Sequence, residues 1–212
     1  MSWALVSAAM VFGTLHIVAD YQQRWTRTYV LKPATMAAII CLVFVPGGPT
    51  DFYSWAVLVG LLFSLGGDVF LMLKPARFLP GLASFLVAHL VYVAAFAYRP
   101  GTLDLVAVLA AVTAGSAMLW WLWPGLGKLK GPVTLYVGAI SAMVATAVSA
   151  AVAVPDAGRL AAAAGAILFL ASDACLGYAR FRRRFPAAQG FILGSYYPAQ
   201  ALIALSAGSL YA

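Results

Sequence analysis

Charge is what this sequence has least of. Glutamate is absent, the acidic complement is six aspartates, and charged residues fill 9% of 212 positions, against about 25% in soluble domains. With 64% of the residues hydrophobic, no water-soluble fold could bury the apolar surface, so a soluble globule is excluded. Cysteine is nearly missing too. Cys41 and Cys175 both fall in apolar segments, which excludes a disulfide framework and marks them as small core residues. Histidine occurs twice; His16 shares a helix face with Asp20 at i, i+4, a spacing that fits a hydrogen bond or a metal pair, but no third ligand follows at fixed spacing. No Lys or Arg precedes the apolar run Trp3–Ala19, so it lacks the basic start of a signal peptide and is expected to be a transmembrane helix.

What the chain does have is a series of long apolar runs separated by short polar breaks. About 20 apolar residues span the hydrocarbon core, and only a helix satisfies its own backbone there. The pattern predicts an all-α, polytopic transmembrane bundle of about eight helices in one domain, residues 1–212, with spans near Trp3–Ala19, Pro33–Val45, Ser54–Leu73, Pro80–Tyr98, Leu103–Trp123, Pro132–Val154, Arg159–Tyr178 and Gly190–Leu210. The second is short for a full crossing. The net charge of +7 sits in the breaks, as topology signals and headgroup contacts and not as a nucleic-acid patch. Breaks after odd-numbered helices hold Arg24, Arg27, Lys32, Lys74, Arg77, Lys128, Lys130, Arg180, Arg182, Arg183 and Arg184; only Arg99 and Arg159 lie on the other side. The positive-inside rule then makes those breaks cytoplasmic and both termini external, in a multi-pass protein of the inner (plasma) membrane. The third and seventh helices close on similar texts, LGGDVFLMLKPARF and LASDACLGYARFRRRF. Either the chain holds two parallel four-helix repeats, or two apolar helices share composition by chance.

Asp20, Asp51, Asp104 and Asp156 lie at or beside helix ends, whereas Asp68 and Asp173 lie inside spans. Asp68 precedes Lys74, and Asp173 precedes Arg180, by a number of residues that puts each about 9–10 Å below the cytoplasmic interface. A carboxyl at that depth is expected to face the bundle interior or a wet cavity and to be partnered or protonated. One reading makes the two aspartates interhelical glue, with Lys74 or Arg180 reaching back to them; the other makes them an acid/base pair lining one cavity. His89, with Tyr92 one turn on, falls near the middle of the fourth helix. Tyr196, Tyr197 and Gln200 cluster inside the eighth. Gly66 and Gly67 before Asp68 allow close approach of a neighbouring helix or of a substrate.

These residues are similar to those of the YhhN-like lysoplasmalogenases of bacteria and animals. The resemblance rests on LKPATM at Leu31–Met36, GGDVFLML at Gly66–Leu73, GLASFLVAHLVY at Gly81–Tyr92, LFLASDACLGYARF at Leu168–Phe181 and YYPAQALI at Tyr196–Ile203, in the family's order over nearly the whole chain. It implies an eight-helix bundle that hydrolyses the vinyl-ether bond of lysoplasmalogens, a lysophospholipid substrate drawn from the bilayer, no cofactor and no metal. The family's two catalytic aspartates fall on Asp68 and Asp173. Lys32, His89, Tyr92, Arg180, Tyr197 and Gln200 are the expected substrate-binding residues, with His89 and Tyr197 bordering the cavity.

The chemistry suits two carboxyls. A vinyl ether hydrolyses by protonation of its β-carbon to an oxocarbenium ion, which water attacks, so one protonated acid and one carboxylate are needed. A proton- or cation-coupled transporter would use the same aspartates along a pathway, and a metal-dependent lipid amidase would use His16, Asp20, Asp68 and His89.

Overall fold

The computed structural model describes residues 2–45, 47–73, 77–99 and 101–207, and among them there are α-helices and short 3-10 turns but no strand. The helices are α1 Ser2–Tyr21, α2 Trp25–Cys41, α3 Phe52–Met72, α4 Phe78–Tyr98, α5 Leu105–Leu122, α6 Lys130–Ala153, α7 Ala157–Phe181 and α8 Ala188–Ser206. Short connections make successive helices antiparallel neighbours. The ends of odd helices therefore meet the starts of even helices at one end of the bundle, where Arg24, Arg77, Lys128, Lys130, Arg180 and Arg182–Arg184 gather. Lys74, expected to mark the same end and to reach back toward an aspartate, lies outside the described residues.

Among the described residues seven helices, α1 to α7, are long and apolar enough to cross a membrane. The side chains on the outside are those of a lipid-facing surface: Leu105, Val106, Leu109 and Val112 of α5 are all exposed, as are Trp120 and Trp121 at its end. Polar groups go inside instead, with Asp68, Asp173, His16, His89, Ser64 and Gln200 all buried. That inversion of the soluble pattern makes the chain a multi-pass membrane protein. α8 is less apolar because Tyr196, Tyr197, Gln200 and Ser206 are turned inward, against α7, α1, α2 and α3. Its 19 residues still reach about 28 Å at 1.5 Å each.

The second helix differs most from the sequence expectation. It starts at Trp25, two turns before Pro33, and with the 3-10 turn Leu42–Phe44 it makes a 20-residue span. Pro33 removes one backbone donor and was expected at the first turn. Here the freed carbonyl is tolerated within the helix, as in other membrane spans, and the preceding segment is amphipathic: Tyr29 and Val30 are exposed while Thr28 is buried. Cys41 is also a correction, since it is exposed on the outer surface and not a core residue, whereas Cys175 is half-buried and neither is bridged.

Three of the interfacial aspartates are helix caps. Asp51, Asp104 and Asp156 accept hydrogen bonds from the backbone of Ser54, Ala107 and Arg159 at 2.8, 2.8 and 2.7 Å, each satisfying an orphan donor at the start of α3, α5 or α7. The fourth, Asp20, accepts from Gln189 Nε2 at 2.9 Å and ties α1 to α8.

Glycines set the tightest helix pairs. A Cβ on Gly67 would come within 2.5 Å of the Phe85 ring, so α3 and α4 touch there; a Cβ on Gly165 would meet the Ala199 carbonyl oxygen at 2.8 Å, so α7 and α8 do likewise. Each pair is also tied by a serine hydroxyl donating to a backbone carbonyl across it, Ser84 to Phe63 at 2.6 Å and Ser172 to Ile192 at 2.9 Å.

Candidate active site

α3 and α7 each carry one aspartate in their last turns, Asp68 about one turn and Asp173 about two turns before the end, on faces turned into the bundle. Asp68 and Asp173 are 3% and 7% exposed; that residue of exposure belongs to a shared cavity of about 520 Å³ at the basic end. Both carboxyls line it, with His16, Lys32, Ser172 and Tyr196 at its inner part and Asp20, Arg180, Arg184 and Gln189 among its other lining residues.

The two carboxyls are held differently. Lys32 Nζ of α2 lies 2.9 Å from Asp68 Oδ1, and Tyr196 of α8 donates its hydroxyl to Asp68 Oδ2 at 2.7 Å. Asp68 thus has a cation on one oxygen and a hydroxyl on the other, the partners a buried carboxylate needs. Asp173 Oδ2 accepts from the Tyr136 hydroxyl of α6 at 2.5 Å, and His89 Nε2 of α4 stands 3.9 Å from the same oxygen, too far for a hydrogen bond. Among the described residues, no Lys or Arg pairs with Asp173. Its other oxygen, Oδ1, receives no protein donor there.

An aromatic wedge separates and supports the two. Phe169 stands edge-on to Tyr196 and to His89, with ring centroids 5.4 and 4.8 Å apart, and Phe85 closes the cluster against both Phe169 and Tyr196. Edge-to-face packing of this kind fixes ring orientation, so the hydroxyl of Tyr196 is aimed before any ligand arrives. Beside Asp173 a small apolar cleft of about 40 Å³ opens between Leu82, Met118, Leu122, Val133 and Phe181, and it shares Phe85, Leu176 and Asp173 with the main cavity.

Of the residues singled out in the sequence, Asp68, Asp173, Lys32 and Arg180 line the cavity. His89 is fully buried behind Asp173. Tyr92 donates to Gln200 Oε1 at 3.0 Å in a deeper layer. Tyr197 sits within 2.7 Å of His16 Nδ1. The expectation that His89 and Tyr197 border the cavity is corrected: both stand one layer back, because the aromatic cluster and His16 occupy the wall in front of them. Tyr136 was not expected at the site; Tyr196 was expected only as part of the cluster inside the eighth helix, and His16 only as a hydrogen-bonding or metal-binding partner of Asp20. Tyr136 had one sequence signal, since it precedes Asp173 by nearly the same number of residues as Lys32 precedes Asp68. Among the described residues no three His, Cys, Asp or Glu side chains converge as a metal site would require.

Comparison with known proteins points the same way as the motifs. The YhhN family model matches residues 27–207. A bovine (Bos taurus) protein called lysoplasmalogenase TMEM86A is 37% identical over 156 residues, which is 71% of this chain and 64% of that protein, so the chain spans just under two thirds of that relative's length. A Mycobacterium bovis lysoplasmalogenase is 35% identical over 186 residues, 82% of this chain and 69% of its own. The Escherichia coli O157:H7 membrane protein YhhN, uncharacterized, is 29% identical and is matched over 99% of its length. No solved structure matches. With the family model covering most of the described residues, including both aspartates and every partner that holds them, the chain belongs to the YhhN family.

Proposed function

We propose that this protein hydrolyses the vinyl-ether bond of lysoplasmalogens, releasing a fatty aldehyde and a glycerophospho-base, with Asp173 as the proton donor and Asp68 as the carboxylate that steadies the cation. The observation that carries the reading is the unequal holding of two carboxyls in one cavity, Asp68 by Lys32 and Tyr196, Asp173 by Tyr136 without a cation. The names of the bovine and mycobacterial relatives support the same substrate.

The division of labour follows from the partners. A buried carboxylate without a cation is an uncompensated charge, and a proton removes it. Tyr136 occupies Oδ2 of Asp173, so the proton rides on Oδ1, the oxygen without a protein donor. From there it is delivered to the β-carbon of the vinyl ether. Asp68, kept anionic by Lys32, faces the positive charge that develops on the α-carbon and ether oxygen, as the second carboxylate does in two-carboxylate glycosidases. The cavity accepts the molecule in one sense. Arg180 and Arg184 among its lining residues suit the phosphate, the apolar cleft beside Asp173 receives the start of the alkenyl chain, and the bond between head and tail falls at the aspartates.

The test is aldehyde release by the purified full chain from a vinyl-ether lysolipid and from its ester analogue. Turnover of the vinyl ether alone is expected, and Asp68→Asn and Asp173→Asn should each lower kcat by about 10³-fold or more while both variants remain folded, since Asn keeps the volume and hydrogen bonding but can neither donate the proton nor carry the charge. Near-normal hydrolysis by both variants would return the aspartates to the role of interhelical partners.

A further inference from the structure

Among the described residues of the cavity wall, this chemistry leaves two titratable side chains without a role: Asp20, which is tied to Gln189, and His16. His16 is 2% exposed and lines the cavity. Its Nδ1 is engaged by the Tyr197 hydroxyl at 2.7 Å, and Tyr197, unlike His16, is not part of the cavity wall. The other ring nitrogen, Nε2, is buried and has no hydrogen-bond partner among the described residues. A buried, unpaired ring nitrogen is destabilising unless something fills its valence.

The contact between Tyr197 and Nδ1 governs which ring nitrogen carries the proton. With the Tyr197 oxygen accepting from His16 Nδ1–H, the lone pair of the ring falls on Nε2, and this is the tautomer that makes the imidazole a base.

We propose that His16 Nε2 is the base that takes a proton from the water attacking the oxocarbenium ion, with Tyr197 as the positioning residue that fixes its tautomer. This rests on the vinyl-ether reading and deepens it. Asp68 is poorly placed for that task, because each of its oxygens already accepts, from Lys32 and from Tyr196. In the first step the π electrons of the vinyl ether take the proton from Asp173 Oδ1 to form the β-carbon C–H bond, and positive charge spreads over the α-carbon and ether oxygen. Water then bonds through oxygen to the α-carbon while one of its protons goes to His16 Nε2, giving a hemiacetal. In the collapse the hemiacetal hydroxyl returns its proton to Asp173, the bond between the α-carbon and the glycerol oxygen breaks with its electrons on that oxygen, and His16 supplies the proton it held. One water is consumed, and both Asp173 and His16 end as they began.

The prediction is specific because it separates protonation from hydration. The purified full chain is assayed with a vinyl-ether lysolipid in D₂O buffer, and deuterium is measured by mass spectrometry both in the aldehyde and in the unreacted lipid. The unaltered protein should place one deuterium on C2 of the aldehyde, the former vinyl β-carbon, and leave recovered lipid unlabelled, because water captures each cation. His16→Asn keeps a donor near Tyr197 but has no Nε2; aldehyde release should fall about 10²-fold, and the recovered lipid should now carry deuterium at its vinyl β-carbon, because the longer-lived cation turns about its new carbon–carbon single bond and gives up its original β-hydrogen before water arrives. Tyr197→Phe leaves the imidazole but frees its tautomer, so it should show the same label with a loss of turnover several-fold smaller, and it provides the readout if His16→Asn does not fold. Asp173→Asn should show neither turnover nor label. Wild-type turnover in the His16 variant, or lost turnover with unlabelled lipid in both variants, would overturn the proposal. Failure of the unaltered protein to release aldehyde is a different result, visible in the control, and it removes the vinyl-ether reading itself.

Discussion

Lys32 shows how a single residue can change its meaning once its neighbours are known. In the sequence it belongs to a polar break and suggests a phosphate contact; in the structure its ammonium lies on Asp68 with only 12% of the side chain exposed. Removing one member of such a pair strands the other in a low dielectric, which is worse than removing both. Lys32→Met should therefore lower unfolding stability by about 3–5 kcal/mol, whereas Lys32→Met combined with Asp68→Asn should recover most of the loss, a comparison made by thermal unfolding of the four proteins in one detergent. Under the proposed function, the substrate phosphate is then assigned to the arginines among the cavity residues. Arg180 lies over the Phe78 ring at 4.9 Å and forms no ion pair among the described residues. Arg180→Gln is expected to raise KM for a lysolipid about tenfold with kcat little changed, the pattern of a group that binds ground state and transition state alike.

At the scale of helices, the decisive contacts are those that glycine permits. On Gly165 a Cβ would press on the Ala199 backbone oxygen and on Ile203 Cγ1, both at 2.8 Å, while on Gly138, in the lipid-side part of α6, it would meet nothing within 4 Å. Gly165→Ala should part α7 from α8, lower the melting temperature by several degrees and, by shifting Ser172 and Asp173 against Tyr196, reduce turnover. Gly138→Ala should leave both unchanged or gain a little from helix propensity. The two substitutions add the same methyl group, so melting and rate measured side by side isolate the packing. Helices of this kind were legible in the sequence because apolar length alone announces them, and Asp68 and Asp173 were legible because a charge inside an apolar run needs a reason. The start of α2 was not, because a segment holding Arg27, Thr28 and Lys32 looks like a break until Lys32 is seen to turn inward and Tyr29 and Val30 outward. Nor were Tyr136 and the contact of His16 with Tyr197, since an aromatic or a histidine on a helix reveals its partner only when the neighbouring helix is placed.

For the whole molecule, the two halves carry the same plan. Asp68 of α3 is held from α2 by Lys32 and from α8 by Tyr196; Asp173 of α7 is held from α6 by Tyr136 and approached from α4 by His89. Shifting every helix by four turns one set into the other, which is the relation a parallel four-helix repeat would leave and which the similar closing texts of α3 and α7 suggested. The partners differ within that plan: Lys32 of α2 corresponds to Tyr136 of α6, and Tyr196 of α8 to His89 of α4. An even number of helices in each half also fixes orientation. Both halves enter and leave at the same side, so the cavity, the closing ends of α3 and α7 and the basic residues Arg24, Arg77, Lys128, Lys130 and Arg182–Arg184 share one end. The two bases at the far end are neutralised or tied down, Arg159 on Asp156 at 3.3 Å and Arg99 donating to the Ser206 carbonyl at 2.8 Å. The charge bias between the ends is therefore larger than the residue count implies, and loop Lys and Arg determine which side stays in the cytoplasm. The cavity should open to the cytoplasmic leaflet and the end of α8 should face outward. An alkaline phosphatase fused after α8 is expected to be active and a green fluorescent protein in the same place dark, while the same reporters fused after Arg184 should give the opposite pair. A dark phosphatase after α8 together with a bright fluorescent fusion there would invert the bundle and place the cavity on the external leaflet.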